Sequence, residues 1–288
     1  MTISSADLPL RPDGSVYHLN LLPHEIADTI ILVGDPQRAT QISTHFDKIE
    51  AHKVNREFVT YTGLINNKRL SVVGTGIGSD NIDIVMNELD ALVNIDFKTR
   101  EIKPKLTRLK IIRIGTAGAL QKKTGLDGVV ISKLALGFDG LLDFYAYHPS
   151  LKMRDALEQA QKHFAPLQSI RHIYAAEADE NLLAEFSALG EVGMTCTCIG
   201  FYGPQSRAVR APLVNANFLN CAREFYFDDF ATLNFEMETA AIYGLGKLLG
   251  HQCISLSAIV ANRETGEFSK NPYGTVDRLI AAVLRIIA

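Results

Sequence analysis

An arginine inside an apolar strand needs an anion. Arg113 lies in IIRIGTAG at 111–118, and a permanent charge left there without a partner costs on the order of several kcal/mol. The partner is either a structural Asp or Glu or a bound anion. Gly115, Thr116 and Gly118 follow it and read as a small-residue turn at a strand end, where backbone amides and a hydroxyl can complete a phosphate cage. A second anion motif is VGDPQR at 33–38. Here a strand ends in Gly34, Asp35 caps a helix, Pro36 suits the first helical turn and Arg38 follows within it. Free N–H groups at a helix start, a glycine that permits close approach and an arginine fork bind phosphate well, although an ordinary capped turn has the same pattern.

Two further clusters suit a sugar and a heterocycle. FEMET at 235–239 places Glu236 and Glu238 two apart, before the helical AAIYGLGKLL. In extended backbone both carboxylates face one way and can grip hydroxyls; acids at a helix start also stabilise its positive end without any ligand. FYGPQSR at 201–207 ends a strand with Phe201 and Tyr202 and then offers Gln205, both donor and acceptor, and Arg207, a multiple donor. These groups can read the edge of a base, or form a surface turn around Gly203 and Pro204.

Other chemistries lack support. GTGIGS at 74–79 has Ser79 where a dinucleotide fingerprint requires its third glycine, and neither a Walker A loop nor a G-x-S-x-G elbow occurs. The cysteines Cys196, Cys198, Cys221 and Cys253 match no metal spacing; Cys196 and Cys198 sit two apart in an apolar run and read as buried free thiols on one sheet face. His24-Glu25 lacks the second histidine that a zincin helix needs, so no metal site is expected.

The elements that must position these residues alternate along the chain. Strand patterns occupy 29–34, 69–76, 109–118, 128–136, 170–178, 191–201 and 253–262, and apolar stripes at helical spacing occupy 82–93, 151–164, 238–249 and 276–287. The class is α/β, with a parallel or mixed sheet covered on both faces. No linker divides the chain, so a single domain over 17–288 is expected after an N-terminal tail at 1–16. The basic run KTREIKPKLTRLK at 98–110 reads as a solvated loop.

With 288 residues, 47% apolar and 21% charged, the chain can build a sizeable core and is no disordered segment. Lys plus Arg at 29 against Asp plus Glu at 32 gives a formal charge of -3, without the basic excess of a nucleic-acid binder. No apolar run approaches the roughly 20 residues of a bilayer span, and MTISSADLPLRPDG has no secretory h-region. A cytoplasmic protein with neither nucleic acid nor membrane as partner is expected.

Taken in order, VGDPQR, NREF (55–58), TGIG (75–78), RIGTAG (113–118), FYGPQSR and FEMET resemble the nucleoside phosphorylase family, most closely its uridine phosphorylase branch, from Tyr17 to Asn262. The resemblance implies a three-layer α/β/α domain around a central mixed, twisted sheet. It also implies reversible phosphorolysis in pyrimidine salvage, in which phosphate attacks C1′ of a nucleoside and releases free base and ribose 1-phosphate. Inorganic phosphate is then a co-substrate and no cofactor is used. By this similarity phosphate is held by Gly34, Arg38, Arg113 and Thr116, with Arg56 donated across a dimer interface. Ribose meets Glu238, with Glu236 and Met237 beside it, and His18 of the neighbouring subunit. The base meets Gln205 and Arg207, with Phe201 packing on its ring or on the sugar. Arg113, Thr116, Gln205, Arg207 and Glu238 form the catalytic set, and the protein is expected as a homo-oligomer, a dimer or a hexamer built as a trimer of dimers.

The purine branch carries an aspartate after the late strand to protonate its leaving group, whereas this chain reads VANR, with Asn262 in that place. Uridine is therefore the expected substrate, with deoxyuridine and thymidine to be tested beside it. A purine nucleoside phosphorylase, a nucleosidase and a nucleoside-binding or storage protein are the alternatives. The chain departs from the family in reading Gly203-Pro204-Gln205 rather than glycine directly before the glutamine. It also has Ser79-Asp80 after TGIG and Asn81 near the position where some relatives bind a monovalent cation.

Overall fold

A computed structural model of the protein describes residues 2–167, 170 and 172–288. The chain forms two compact units. One takes the chain up to Ile112 together with Leu249–Gln252 and Ala288; the other takes Arg113–Leu248 and Cys253–Ile287.

In the first unit the apolar TIILV forms β1 (Thr29–Val33), buried from its second residue on. Helix α1 (Pro36–Ser43) follows directly, with Asp35 as its N-cap and Pro36 at its start, as the sequence requires. Strands β2 (Lys48–Asn55), β3 (Phe58–Ile65) and β4 (Lys68–Gly74) form an antiparallel meander, and β4 pairs parallel with β1. Two-residue turns join the meander at Arg56-Glu57 and at Asn66-Asn67. Both asparagines adopt positive φ, the conformation that matches strand twist in a hairpin. Sequence periodicity missed β2 because its KIEAHKVN lies at the end of the strand path and stays largely exposed.

Helix α2 (Ser79–Asn94) buries Ile82, Val85, Met86, Leu89 and Leu92 along one stripe, as its spacing demands. A short hairpin, β5 (Ile95–Asp96) with β6 (Glu101–Ile102), follows, and its second strand stands inside the run 98–110 expected to be a solvated loop. The difference has a cause in the N-terminal stretch: the Arg100 guanidinium donates to the carbonyls of Ile3 and Ser4 at 2.8 Å each and to that of Leu8.

The second unit contains most of β7 (Lys110–Ala119), then β8 (Val129–Gly137), α3 (Leu151–Phe164), β9 (Tyr174–Glu177), α4 (Glu180–Phe186), β10 (Glu191–Thr197), α5 (Phe218–Glu224), β11 (Tyr226–Phe227), β12 (Phe230–Glu236), α6 (Thr239–Leu249), most of β13 (Gln252–Asn262), β14 (Glu267–Phe268) and α7 (Pro272–Ile287). The strand path runs β11-β12-β10-β8-β13-β7, and β12 also pairs with the end of β7, which joins the path back on itself. Strand β10 is parallel to β8 and β12, while β13 is antiparallel to β8, so the sheet is mixed. A core of Leu134, Leu136, Met153, Phe164, Phe218 and Phe235 lies between strands and the helices α3 and α5, and Cys196 and Cys198 are buried free thiols within it. Among the described residues no helix is long and apolar enough to cross a membrane.

Three expected boundaries move. Strand β10 stops at Thr197, not at 201, because the Cys198 N–H bonds the Glu236 carbonyl and the chain then leaves the sheet; Phe201 thus stands in a loop beyond the strand. Gly115, Thr116 and Gly118 are strand residues, not a turn, because β7 continues to Ala119 and pairs Gly118 with Phe235 of β12. Strand β9 begins at Tyr174; Arg171, inside the expected strand, lies outside the described residues.

Candidate functional site

In the second unit the parallel pairing of β8, β10 and β12 brings their C-terminal residues into register, Thr197 opposite both Gly137 and Glu236. Such strand ends are where open α/β sheets place ligands. Arg113 reaches this edge from β7. Its guanidinium is 4% exposed, and it pairs with Glu236 at 3.1 Å and, through the same Nη2, with Glu238. Nη1 donates to the Ser255 and Ser257 hydroxyls at 3.4 Å each. The anion that the sequence demanded for Arg113 is thus supplied by the protein itself. Burial alone lowers the guanidinium's pKa, but the two carboxylates more than reverse this and hold it above its usual value.

Glu236 does two tasks. One oxygen accepts from the Thr197 hydroxyl at 2.5 Å; the other accepts from the backbone N–H groups of Glu238 and Thr239 at 2.9 Å each, closing the start of α6. Glu236 thus fulfils the helix-start reading of the sequence and shares the Arg113 guanidinium with Glu238. Thr197 in turn accepts from Ala240 N–H at 2.9 Å. Met237 is half-buried between two buried glutamates. Gly115 is small because Arg113 folds over it: a Cβ there would lie 2.0 Å from Nη1.

The other face of β7 serves the 201–207 loop. Thr116 shares the strand face of Gly118, and a Cβ on Gly118 would stand 3.6 Å from Arg207 Nη2 and 3.5 Å from Arg263 Cγ. Arg207 lies over the Phe201 ring at 3.8 Å from its centroid, within the range of a cation–π contact, and donates to the Phe201 carbonyl at 2.7 Å and to the Gln205 side-chain oxygen. Gln205 is 2% exposed, and its carbonyl accepts from Arg263 Nη1 at 2.9 Å. Burial, reinforced by the positive charge of Arg263, brings the Arg207 pKa down to about 10; Arg263 is lowered too, chiefly by burial. Among the described residues neither guanidinium has a carboxylate partner. In VANR the sequence points to Asn262, but it is the next residue, Arg263, that reaches Gln205 and Ser206. Asn262 is structural: its amide donates to the carbonyls of Gln121 and Thr124, and its oxygen accepts from Glu264 and Thr265 N–H. The Gly203-Pro204 turn also borders a cavity of about 500 Å³ lined by Phe138, Asp139, Ile199, Leu213 and Phe218, among others.

The first unit carries the remaining expected residues. At the end of β1, Asp35 accepts from Gln37 N–H at 2.8 Å, and Gly34 and Arg38 are half-buried. Gly34 lies against a second glycine turn: a Cβ on it would be 3.4 Å from the Gly76 carbonyl. Gly76 and Gly78 both hold positive φ, as the entry to α2 requires, and Asp80 is exposed just beyond. His18 and Arg56, 38 positions apart in sequence, come together, since Asn55 Nδ2 donates to the His18 carbonyl at 2.7 Å and Arg56 stands over the Tyr17 ring at 5.6 Å.

Comparison with known proteins places the chain in a family. The sequence profile of the Phosphorylase superfamily matches residues 28–288. Uridine phosphorylase of Thermococcus kodakarensis is 29% identical over 275 residues, spanning 92% of this chain and 84% of that protein. A DeoD-type purine nucleoside phosphorylase of Alkaliphilus metalliredigens is 28% identical over 89% of this chain and 94% of its own length. Among solved structures, the Trypanosoma brucei nucleoside phosphorylase, described as showing uridine phosphorylase activity, superposes with a TM-score of 0.88 at 27% identity, covering 98% of this chain and 99% of that one. With this profile match over residues 28–288 and a solved relative of the same fold, the chain belongs to the Phosphorylase superfamily.

Proposed function

We propose that the protein is a uridine phosphorylase that cleaves uridine with inorganic phosphate to uracil and ribose 1-phosphate. The observation that carries the reading is the pair Arg207 and Arg263, two half-buried guanidiniums beside Gln205 with no carboxylate partner among the described residues. Such a pair favours an anion, and the departing uracil is one. Glycosidic cleavage passes through an oxocarbenium-like state, positive on the sugar and negative on the leaving base. Donors from Arg207 and the Gln205 amide meet the carbonyl oxygens of uracil, and the second lone pair of the Gln205 oxygen accepts from its N3–H. Phe201 supports the ring.

In this reading Glu238 takes a ribose hydroxyl, with its carboxylate held by Arg113, and Met237 lies beside the sugar. In the second unit the hydroxyl of Thr116 is assigned to phosphate; in the first unit the capped start of α1, with Gly34 and Arg38, carries an anion-binding pattern of its own. The charge of phosphate stabilises the cationic sugar before bonding to C1′, so no covalent enzyme intermediate is needed. Arg113 acts mainly through its carboxylates. A purine leaving group needs a proton, and Asn262 has none to give at its place. His18 and Arg56 act on a neighbouring subunit's site in a cytoplasmic homo-oligomer.

The experiment is chromatographic release of base from uridine, thymidine and inosine, each with and without phosphate. Phosphate-dependent uracil release is expected; hypoxanthine release would move the reading to the purine branch, and phosphate-independent cleavage to a nucleosidase. Mixing Arg207→Ala and Arg56→Ala protomers, each weakened in phosphorolysis alone, should restore part of the activity, and failure to do so after subunit exchange would refute the shared site.

A further inference from the structure

The side chain of Glu88 on α2 is 9% exposed and, among the described residues, pairs with no lysine or arginine. What it accepts is a set of N–H groups from one short segment: His18 N–H at 2.9 and 3.2 Å, Leu19 N–H at 2.8 Å and the His18 ring Nδ1 at 2.7 Å. The segment is pinned from its other side as well. Asn55 Nδ2 donates to the His18 carbonyl at 2.7 Å, Tyr17 and Phe58 meet the imidazole edge-on, and Asn20 closes the turn at φ 56. The neighbouring Arg56 is held at φ 53, a left-handed conformation that is unfavourable for a long side chain. Backbone strain of this kind, maintained by its surroundings, concentrates at functional positions.

An ionised carboxylate can only accept, so the ring nitrogen that meets it must carry a proton. We propose that Glu88 is a positioning residue for the reaction. It locks His18 as the Nδ1–H tautomer and fixes its backbone, so that Nε2 is presented, with a defined direction, to a ribose hydroxyl of the substrate. The proposal rests on the ribose-binding reading of His18, and Glu88 itself touches no substrate. A buried acid that served only to hold the fold would need the backbone N–H bonds alone; the ring bond is the part that sets the chemistry of His18.

Glu88→Gln in the full chain tests this. The neutral amide keeps the shape but no longer demands a proton on Nδ1. The expected result is a KM for uridine raised about tenfold, with kcat within about twofold and the KM for phosphate unchanged. His18→Ala should show a similar KM, and the double variant should be no worse than His18→Ala alone, because both remove one interaction. Losses that add, or an unchanged KM in Glu88→Gln, overturn the proposal. Nitrogen NMR of the histidine ring in the wild-type protein provides a readout independent of turnover: Nδ1 of His18 should be protonated and Nε2 bare, with a mixture of tautomers in Glu88→Gln. A wild-type ring protonated on Nε2 alone overturns the proposal. A wild-type protein that cleaves no nucleoside defeats the functional reading, and the tautomer still decides the role of Glu88. Should Glu88→Gln fail to fold, Glu88→Asp, one methylene shorter, takes its place with the same readouts.

Discussion

Replacing Arg113 by methionine removes the guanidinium that Glu236 and Glu238 share while keeping most of the side-chain volume. Both glutamates are at most 5% exposed, and taking one partner from a buried ion pair costs about 3–5 kcal/mol, since the charge left behind stays buried without the guanidinium that balanced it. In a chain of this size each kcal/mol moves the melting temperature by roughly 2–4 °C, so Arg113→Met should melt about 10 °C below wild type at neutral pH. The deficit should depend on pH. Without the guanidinium, at least one of the buried carboxyls has a folded-state pKa above its unfolded value of about 4.3. The penalty is then complete above the raised pKa and fades as pH falls toward the unfolded one. Melting curves for both proteins from pH 8 to pH 5 should therefore converge, and Arg113→Met/Glu238→Gln should recover most of the loss at pH 8. A deficit under about 1 kcal/mol, a deficit unchanged with pH, or no recovery in the double variant would refute the account of Arg113 as the clamp on two buried acids. Phosphorolysis should be lost in Arg113→Met at every pH.

Three other outcomes follow from the geometry. Gly115→Ala should abolish activity and lower stability, because the new Cβ would stand 2.0 Å from Arg113 Nη1; an active variant would show that Arg113 does not fold over β7. Gln205→Ala should raise the KM for uridine at least tenfold, about 1.4 kcal/mol, without changing the KM for phosphate, and equal effects on both substrates in steady-state kinetics would remove Gln205 from the base. Asn262→Asp should not create purine cleavage. It should instead destabilise the protein by about 2 kcal/mol, as a carboxylate cannot donate to the Gln121 and Thr124 carbonyls; hypoxanthine release from inosine by this variant would show that the position faces the base after all.

The local signals in the sequence were dependable where one stretch of chain contains both the cause and the effect. Asp35 and Pro36 start α1, Leu151 to Phe164 form α3 to the residue, and the buried stripe of α2 follows its spacing. The N-terminal side of α7 was missed although Asn271 caps it, its oxygen accepting from Gly274 N–H at 3.0 Å, and Pro272 opens it; this is a start signal visible in the sequence. Strand β2 was not legible because an exposed strand at the end of the path needs no apolar alternation.

For the site, the residue types carried the chemistry and their order carried the family, since an arginine in an apolar strand and two acids before a helix have few uses. The partner of Arg113 was open between a bound anion and a structural acid, and only the tertiary structure decided it, by bringing β7 and the end of β12 together from 120 residues apart. The same holds for Arg263 beside Gln205 and for Glu88 beneath His18, pairs separated by 58 and 70 positions. A sequence determines what each side chain can do and what its own strand or helix will present; which charges share one buried space depends on strand pairing, and that is set by the burial of many residues at once.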